Sequence, residues 1–172
     1  MKQKIFCIAI GLVLGLVIYH FFSVLVFTPL IMPVFSPEDG NEIINFIDSA
    51  ETSIDIEIYV LTSRDVVEAL ERAKQRGVRI RIIIERNTMG NGNEEIYKEL
   101  AAKGFNIRYA GSFYKLTHSK YIIIDRKAVL VGSHNLSNSA INKNREASVI
   151  IYNSNIVDEF LESFETDWML AY

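Results

Sequence analysis

The sequence predicts an α/β domain, with one mixed β-sheet sandwiched between helices, preceded by one N-terminal transmembrane helix. Helical and strand patterns alternate early in the domain, and short apolar runs cluster later, as in a mixed sheet covered by helical layers. The 172-residue chain is 49% hydrophobic and 23% charged, which excludes a disordered protein. Its single cysteine, Cys7, excludes both an intramolecular disulfide framework and a cysteine-built zinc site.

The transmembrane helix is predicted from an apolar run that extends from Ile5 to Phe27 without a charged residue. At about 1.5 Å per residue, a helix of this length crosses a bilayer core of about 30 Å. A cleaved signal peptide is the alternative, but its apolar region is usually shorter and ends at a small-x-small site, which is missing here. Lys2 and Lys4 precede the run, so the positive-inside rule predicts a cytoplasmic N-terminus and a domain on the periplasmic or extracellular side.

Two regions are therefore expected, an anchor with a proline-containing linker at residues 1–35 and a folded domain at residues 36–172. All three prolines, Pro29, Pro33 and Pro37, lie between positions 28 and 37. Proline fixes one backbone dihedral, so we expect a stiff, extended connector of about ten residues there. Such a short connector would keep the domain close to the membrane surface.

Periodicity and capping residues predict the elements of the folded domain. The helices are expected from a serine cap at Ser36 to about Ala50, from Ser63 to Gly77, from Asn93 to Lys103 and from Asn155 to Leu170. The strands are expected at Ser53–Leu61, Val78–Glu85, Phe105–Ala110, Tyr121–Ile124, Ala128–Val131 and Ser148–Ile151. In the first strand, isoleucines alternate with Asp55, Glu57 and Tyr59, which predicts one buried and one polar face.

Charge is sorted along the folded domain. Residues 64–145 contain 16 Lys and Arg against 8 Asp and Glu, whereas residues 36–63 and 146–172 contain acids and no bases. A basic middle region could mark a surface that binds a polyanion such as nucleic acid. The alternative is that these bases form solvated helix faces, because several lie beside acids on a predicted helix.

Chemically active residues gather near three of the later strands. His118 and Lys120 are two positions apart, so on a strand both side chains point to the same side. The next strand opens into Gly132-Ser133-His134-Asn135, and Glu146 precedes the strand after that. An imidazole beside a lysine and an amide is suited to phosphoryl transfer, because the imidazole attacks phosphorus while the donors hold the phosphate oxygens.

This pattern resembles the HKD signature of the phospholipase D superfamily. Every position of the signature is present with the family's spacing: His118-x-Lys120-x4-Asp125-x6-Gly132-Ser133-x-Asn135. The resemblance implies a phospholipase D/nuclease-like fold, a metal-independent phosphodiesterase without a cofactor, and a phosphohistidine intermediate. Most members carry two motifs, but this chain has one, like the small bacterial endonucleases and the mitochondrial-surface members. In those proteins two chains pair, so a homodimer is implied.

The resemblance also implies a role for each matching residue. His118 of one subunit attacks phosphorus, and His118 of the other protonates the leaving oxygen and then activates water. Lys120 and Asn135 bind the nonbridging oxygens with support from Ser133, and Glu146 orients the histidine. Asp125 belongs to the signature as a catalytic residue, although a supporting structural role fits its position at a strand end better. His134 occupies the variable position and is expected to be a loop residue or at most a substrate contact.

The motif indicates the type of reaction, but it does not indicate which phosphodiester is the substrate. The basic middle region favours a membrane-anchored endonuclease acting on DNA or RNA, with Lys115, Lys143 and Arg145 as substrate-binding residues. The alternative is a phospholipase D or cardiolipin hydrolase, which the anchor favours but which needs an apolar rim. For that rim the sequence offers Leu116 and Leu136, while Phe113 and Tyr114 are expected to pack or to stack on a base. A catalytically inactive nucleic-acid-binding module is the third hypothesis.

Overall fold

A computed structural model describes residues 10–20, 30–90 and 92–172 of the protein. The chain divides into a short N-terminal unit and a second unit, Ile31–Tyr172. Residues 10–20 of the first unit are helical. No helix in the described residues has both the length and the hydrophobicity to cross a membrane. The predicted span from Ile5 to Phe27 lies partly outside these residues.

The second unit alternates strands and helices along most of its length. Its strands are β1 Leu30–Ser36, β2 Ser53–Ile58, β3 Arg79–Ile84, β4 Asn106–Tyr109, β5 Lys120–Ile124, β6 Ala128–Gly132 and β7 Glu146–Tyr152. Its helices are α1 Asn41–Asp48, α2 Arg64–Gln75, α3 Gly92–Ala102, α4 Asn138–Asn142 and α5 Ser154–Leu170. The predicted α/β class and the alternation of elements are confirmed.

The strands form one mixed sheet in the order β1-β7-β6-β5-β2-β3-β4. Strands β2, β3 and β4 are parallel, whereas β5 is antiparallel to β2, β6 to β5 and β7 to β6. The carboxyl ends of β2, β3 and β6 therefore lie at the same edge of the sheet as the amino ends of β5 and β7. This edge holds the candidate site.

Helices cover both faces of the sheet and divide the core in two. One apolar cluster joins the sheet to α1, α2 and α3, through residues such as Ile47, Leu70 and Leu100. The other joins the opposite face to α5, through Val157, Phe164 and other residues of that helix. The predicted sheet between helical layers is confirmed. A separate apolar cluster is buried on each face of the sheet.

The second helical layer explains an error in the predicted pattern of β2. Asp55 and Glu57 alternate with isoleucines, yet their relative exposures are 1% and 2%. The face expected to be polar lies beneath α5, so every residue of β2 is buried. A strand buried on both faces normally lacks charges, and these two carboxyl groups therefore need partners inside the protein.

Three local predictions also differ from the structure. Residues 30–36 were expected to be a connector, but they form β1, an edge strand in which Pro33 is tolerated because it lies at the edge of the sheet. Helix α1 begins at Asn41, after a turn at residues 37–40, rather than at the predicted serine cap. No helix was predicted between Asn135 and Glu146, but Asn138–Asn142 form the short helix α4, with Ser137 accepting a hydrogen bond from the backbone N–H of Ala140.

Candidate active site

The sheet edge described above brings together five of the site residues predicted from the family resemblance. Strand register places Ile58 opposite Lys120 and Gly132 opposite Ser148, so the start of β5 and the end of β6 lie at one edge. The loop after β6 bonds back to β2, since the Leu136 N–H donates to the Val60 carbonyl at 2.9 Å. The residues at this edge are His118, Lys120, Ser133, Asn135 and Glu146.

The exposed His118 and the half-buried Lys120 form a pair. The Lys120 Nζ lies 3.2 Å from the His118 Nδ1 and donates to the His118 carbonyl at 2.7 Å. The Tyr59 ring supports both residues, with its centroid 4.5 Å from that of the His118 ring and 5.2 Å from the Lys120 Nζ. Burial lowers the pKa of Lys120, and the Glu146 carboxylate opposes this shift. The pair therefore presents a nitrogen nucleophile next to a cation that can bind a phosphate oxygen.

Buried polar residues that the sequence analysis missed hold the segment before β5. The backbone N–H of Thr117 donates to the Glu85 Oε2 at 2.8 Å. The Asn93 amide donates to the carbonyls of Tyr59, at 2.7 Å, and Glu85, at 2.8 Å. In the sequence, the only indication of these contacts is the Glu85 carboxylate at the end of an apolar strand. The contacts themselves could not be predicted, because Glu85 and Thr117 are far apart in the sequence.

Ser133 and Glu146 form the second part of the site. The Ser133 hydroxyl donates to the Glu146 Oε2 at 2.5 Å, and the Asn144 amide donates to the Glu146 Oε1 at 3.2 Å. Burial acts to raise the pKa of Glu146, but these hydrogen bonds and the nearby Lys120 hold the pKa below its ordinary value. No hydrogen bond joins Glu146 to His118 in the described part of the chain. Glu146 instead orients Ser133 and adds negative charge beside Lys120.

The Gly132-Ser133-His134-Asn135 segment combines a close backbone approach with buried polar atoms. A Cβ at position 132 would lie 2.3 Å from the Ser148 Oγ and 2.4 Å from the Ala147 carbonyl oxygen, so glycine is required there. The Asn135 Oδ1 is buried and has no hydrogen-bond partner among the described residues. His134 is 2% exposed, with its Nδ1 2.6 Å from the Ser148 Oγ, and burial lowers its pKa. His134 therefore lies in the loop after β6, as predicted, and its side chain is buried against Ser148.

Asp125 lies at the opposite end of β5 from Lys120, which places it away from the other signature residues. It follows the strand in a tight turn with a φ of 53°, in the left-handed region. Its carboxylate accepts hydrogen bonds from the backbone N–H groups of Glu51, Thr52 and Ser53 and from the Thr52 hydroxyl. Burial acts to raise its pKa, and these donors lower it. The structure thus favours the structural role over the catalytic one.

The basic middle region is largely neutralised by the fold. Within the described residues, ten of its sixteen bases form ion pairs, and seven of those pair with acids from the two acidic flanks. Arg145 is one of them, because it bonds Glu38 at 2.7 Å. Lys115 and Lys143 are exposed and form no ion pair within the described part of the chain. The net positive charge of the middle region therefore does not become a continuous basic surface.

An exposed apolar loop lies immediately before His118. Phe113, Tyr114 and Leu116 are 75%, 51% and 42% exposed, whereas Leu136 is buried. Phe113 and Tyr114 make an edge-to-face contact with each other, with centroids 5.1 Å apart. From the sequence, these aromatic residues were expected to pack or to stack on a base. Their exposure shows that they do not pack into the core, so they are available to a ligand or a surface.

The site has the groups needed for displacement at phosphorus. It offers an imidazole nucleophile, a lysine for a nonbridging oxygen, and a hydroxyl held by a carboxylate. The described residues contain no cluster of three or more His, Cys, Asp or Glu side chains that could hold a metal ion.

Residues 43–168 match the protein family described as cardiolipin synthase, PLD-like domain. The chain therefore belongs to the phospholipase D superfamily. The superfamily relationship predicted from the signature is confirmed.

Individual relatives agree with this assignment. The chain is 32% identical to phospholipase D of Rickettsia felis over 135 residues, which are 76% of this chain and 65% of the relative. It is 31% identical to the mouse mitochondrial cardiolipin hydrolase over 120 residues, which are 70% of this chain and 53% of the relative. The chain thus spans less than two thirds of the length of these curated relatives.

Solved structures share the fold. The phospholipase D family member Nuc from Salmonella typhimurium superposes with a TM-score of 0.78 at 33% identity, covering 84% of this chain and 97% of Nuc. NucT from Helicobacter pylori has a TM-score of 0.71 at 23% identity, covering 84% of this chain and 98% of NucT. The second likeness concerns the fold alone.

Proposed function

We propose that the protein hydrolyses phosphodiesters in a homodimer, with His118 as the nucleophile. The pair of the exposed His118 and the half-buried Lys120 carries this proposal, because a reactive imidazole must reach phosphorus while a cation holds an oxygen. The second unit contains one other histidine, and His134 is buried against Ser148. A second reacting imidazole must therefore come from another copy of the chain.

The reaction proceeds in two displacements. A ring nitrogen of His118 bonds to phosphorus, the bond to the leaving oxygen breaks, and His118 of the second subunit protonates that oxygen. The second histidine then takes a proton from water, and the resulting hydroxide displaces His118 from phosphorus. Lys120 and the side-chain N–H groups of Asn135 hold the nonbridging oxygens through both steps.

We infer that the substrate is a phospholipid at a membrane surface. The exposed Phe113-Tyr114-Lys115-Leu116 loop supports this choice, because aromatic, aliphatic and lysine side chains suit the interfacial layer of a bilayer. The same loop leads directly into His118, so its contact with a bilayer would bring the site to the lipid headgroups. Neutralisation of the basic region by acids removes the charge argument that favoured nucleic acid.

An endonuclease is the second candidate. Lys115 and Lys143 are exposed and unpaired within the described residues, and exposed aromatic rings can stack on bases. Binding through such lysines weakens with salt, by a slope of about −0.7 per contact on single strands. Salt dependence therefore separates this candidate from the lipid hydrolase.

Two sets of variants of the full-length protein distinguish the candidates. Phe113→Ser with Leu116→Ser removes the apolar loop, and Lys115→Ala with Lys143→Ala removes the free lysines. We expect the first pair to lower the hydrolysis of phosphatidylcholine–cardiolipin vesicles about tenfold or more, and the second pair to have little effect. Hydrolysis of single-stranded DNA that falls steeply with salt and with loss of the lysines, beside inactive vesicles, would overturn the lipid assignment.

Membrane attachment through residues 5–27, with the catalytic unit outside the cytoplasm, belongs to the same proposal. The apolar run and the two preceding lysines support it. A protease added to intact cells should cleave the catalytic unit. Cleavage of the catalytic unit only after cell lysis would indicate the opposite orientation.

A further inference from the structure

A buried carboxyl group and a half-buried one lie behind the strand segment that carries the nucleophile. Side chains alternate along this segment, so His118 and Lys120 lie on one side and Ser119 and Tyr121 on the other. The hydroxyl groups of Ser119 and Tyr121 both donate to the Glu57 carboxylate, that of Tyr121 at 2.9 Å. Glu57 thus binds the residues on both sides of Lys120 from within the core.

The second carboxyl group is Asp167 on α5, which packs over this face of the sheet. Asp167 acts on Glu57 both through its charge and as a hydrogen-bond partner. The Asp167 Oδ1 is buried and lacks a hydrogen-bond donor among the described residues. Ionised carboxylates at both positions would repel each other, and the buried Glu57 would also lose its hydration. A proton on Glu57 removes one charge and supplies the donor that the Asp167 oxygen lacks.

The nearby cations are committed to other carboxylates. On β2, Asp55 is bonded by Arg81 at 2.7 Å and also by Arg79. Arg81 reaches α5 through Glu165 at 2.6 Å. Tyr121 on β5 contributes its hydroxyl, and β3 contributes the apolar Ile83 opposite Glu57. No lysine or arginine among the described residues is paired with Glu57.

The protonation of Glu57 follows from these surroundings. Burial raises its pKa to about 7, the hydrogen bonds from Ser119 and Tyr121 oppose this shift, and Asp167 adds to it. Glu57 therefore holds its proton below neutral pH and loses it above.

We propose that Glu57, which donates its proton to Asp167 in a hydrogen bond, is a positioning residue that holds Ser119 and thereby keeps His118 and Lys120 in their reactive arrangement. Loss of the proton leaves two facing carboxylates, so the strand segment loosens and catalysis slows. The rate readout depends on the proposed phosphodiesterase function, whereas the protonation of Glu57 does not.

Glu57→Gln is the informative variant, because glutamine keeps an acceptor for the strand and a donor for Asp167 but does not titrate. Glu165→Gln is the matched control, since it removes another carboxylate that faces β3 from α5. With full-length protein and bis(p-nitrophenyl) phosphate, the kcat of the wild type and of Glu165→Gln should fall several-fold as pH rises through about 7. Glu57→Gln should lose this decrease and keep the same KM. A decrease unchanged in Glu57→Gln would overturn the proposal.

Ser119→Ala tests whether the hydrogen bond from Ser119 to Glu57 positions the reactive residues. It keeps both carboxyl groups and removes only their hydrogen bond to Ser119. We expect kcat to fall about tenfold with an unchanged KM, as for a displaced catalytic group. An unchanged kcat would contradict the positioning role.

Two measurements do not depend on turnover. The infrared C=O band of a protonated carboxyl should be present at about pH 6 in the wild type, Ser119→Ala and Glu165→Gln, and absent in Glu57→Gln. The NMR signal of the Ser119 backbone amide should shift near pH 7 in the wild type and not in Glu57→Gln. Absence of the band from the wild type, or an identical amide titration in Glu57→Gln, would overturn the proposal even if the protein hydrolysed no phosphodiester.

Discussion

Residues of the HKD signature lie at both ends of strand β5. They differ in how far the rest of the fold supplies them with hydrogen bonds and ion pairs. At one end, His118 is exposed and lies beside Lys120, whose charge has no ion-pair partner within the described residues. At the other end, the Asp125 carboxylate accepts hydrogen bonds from three backbone N–H groups and a hydroxyl. A group with its bonding capacity filled stabilises the fold, whereas a group with capacity to spare can bind a substrate. The signature therefore combines reactive residues with a structural residue.

Replacement of His118 should have the largest effect on the reactive end. His118→Asn removes the nucleophile and the general acid together, so we expect kcat to fall about 10⁴-fold or more. The side chain is exposed, and the midpoint of thermal unfolding should stay within about 1 °C of the wild type. Measurable hydrolysis near the wild-type rate would show that another residue attacks phosphorus.

The next largest effect is expected at Glu146, which supports Ser133 and Lys120 without a bond to His118. Glu146→Gln keeps the size of the side chain and removes its charge, and we expect kcat to fall about 10²-fold. The pKa of Glu146 lies below its ordinary value, so the wild type should lose activity as acid protonates this group, at a pH below about 4.3. Rate measurements from acid to neutral pH check this. Asn144→Ala is the control, since it removes one hydrogen bond to Glu146 and keeps the carboxylate.

Replacement of Asp125 tests the structural role proposed for the other end of β5. Asp125→Ala removes four hydrogen bonds, and we expect the free energy of unfolding to fall by about 2 kcal/mol, as for the loss of a helix cap. Because the folded pKa of Asp125 is lowered, its contribution is present above the unfolded value of about 3.9 and is lost as pH falls. Denaturant titrations at neutral and acidic pH should show this loss in the wild type only. A large decrease in kcat for a folded Asp125→Ala variant would show that Asp125 has a catalytic role.

The smallest effect should come from Arg145, which was predicted to bind substrate. Its guanidinium pairs with Glu38 near the end of β1, and both side chains are well exposed. We expect Arg145→Ala to change the free energy of unfolding by less than about 1 kcal/mol and to leave KM unchanged. Lys143→Ala is the comparison, because Lys143 is unpaired within the described residues. A large increase in KM for Arg145→Ala would show that substrate displaces Glu38.

The sequence predicted which polar residues lie together at the sheet edge better than it predicted the burial of their surroundings. His118 and Lys120 were found because a signature depends on residue spacing, and spacing is visible in one dimension. The partners of Glu57 were not, because Tyr121 and Asp167 are joined to it only through strand pairing and the packing of α5. An alternating pattern indicates that one face is polar, and it carries no information on whether a later helix covers that face.

The ion pairs of the basic region and the strand at residues 30–36 could not be predicted, for the same reason. The basic middle region was identified correctly in the sequence, yet acids that are far away in the chain neutralise most of it, such as Asp48 beside Arg72. Residues 30–36 contain a proline and were expected to form a linker, but an edge position in the sheet accommodates them as β1. Both outcomes depend on contacts between distant segments.

Capture of the covalent intermediate tests the role of His118 most directly. The full-length protein is mixed with bis(p-nitrophenyl) phosphate, quenched within one turnover at alkaline pH, digested and analysed by mass spectrometry. The account predicts a p-nitrophenyl phosphoryl adduct on His118, with none on His134 and none in His118→Asn. Turnover without an adduct on His118, or an adduct on His134, would contradict it.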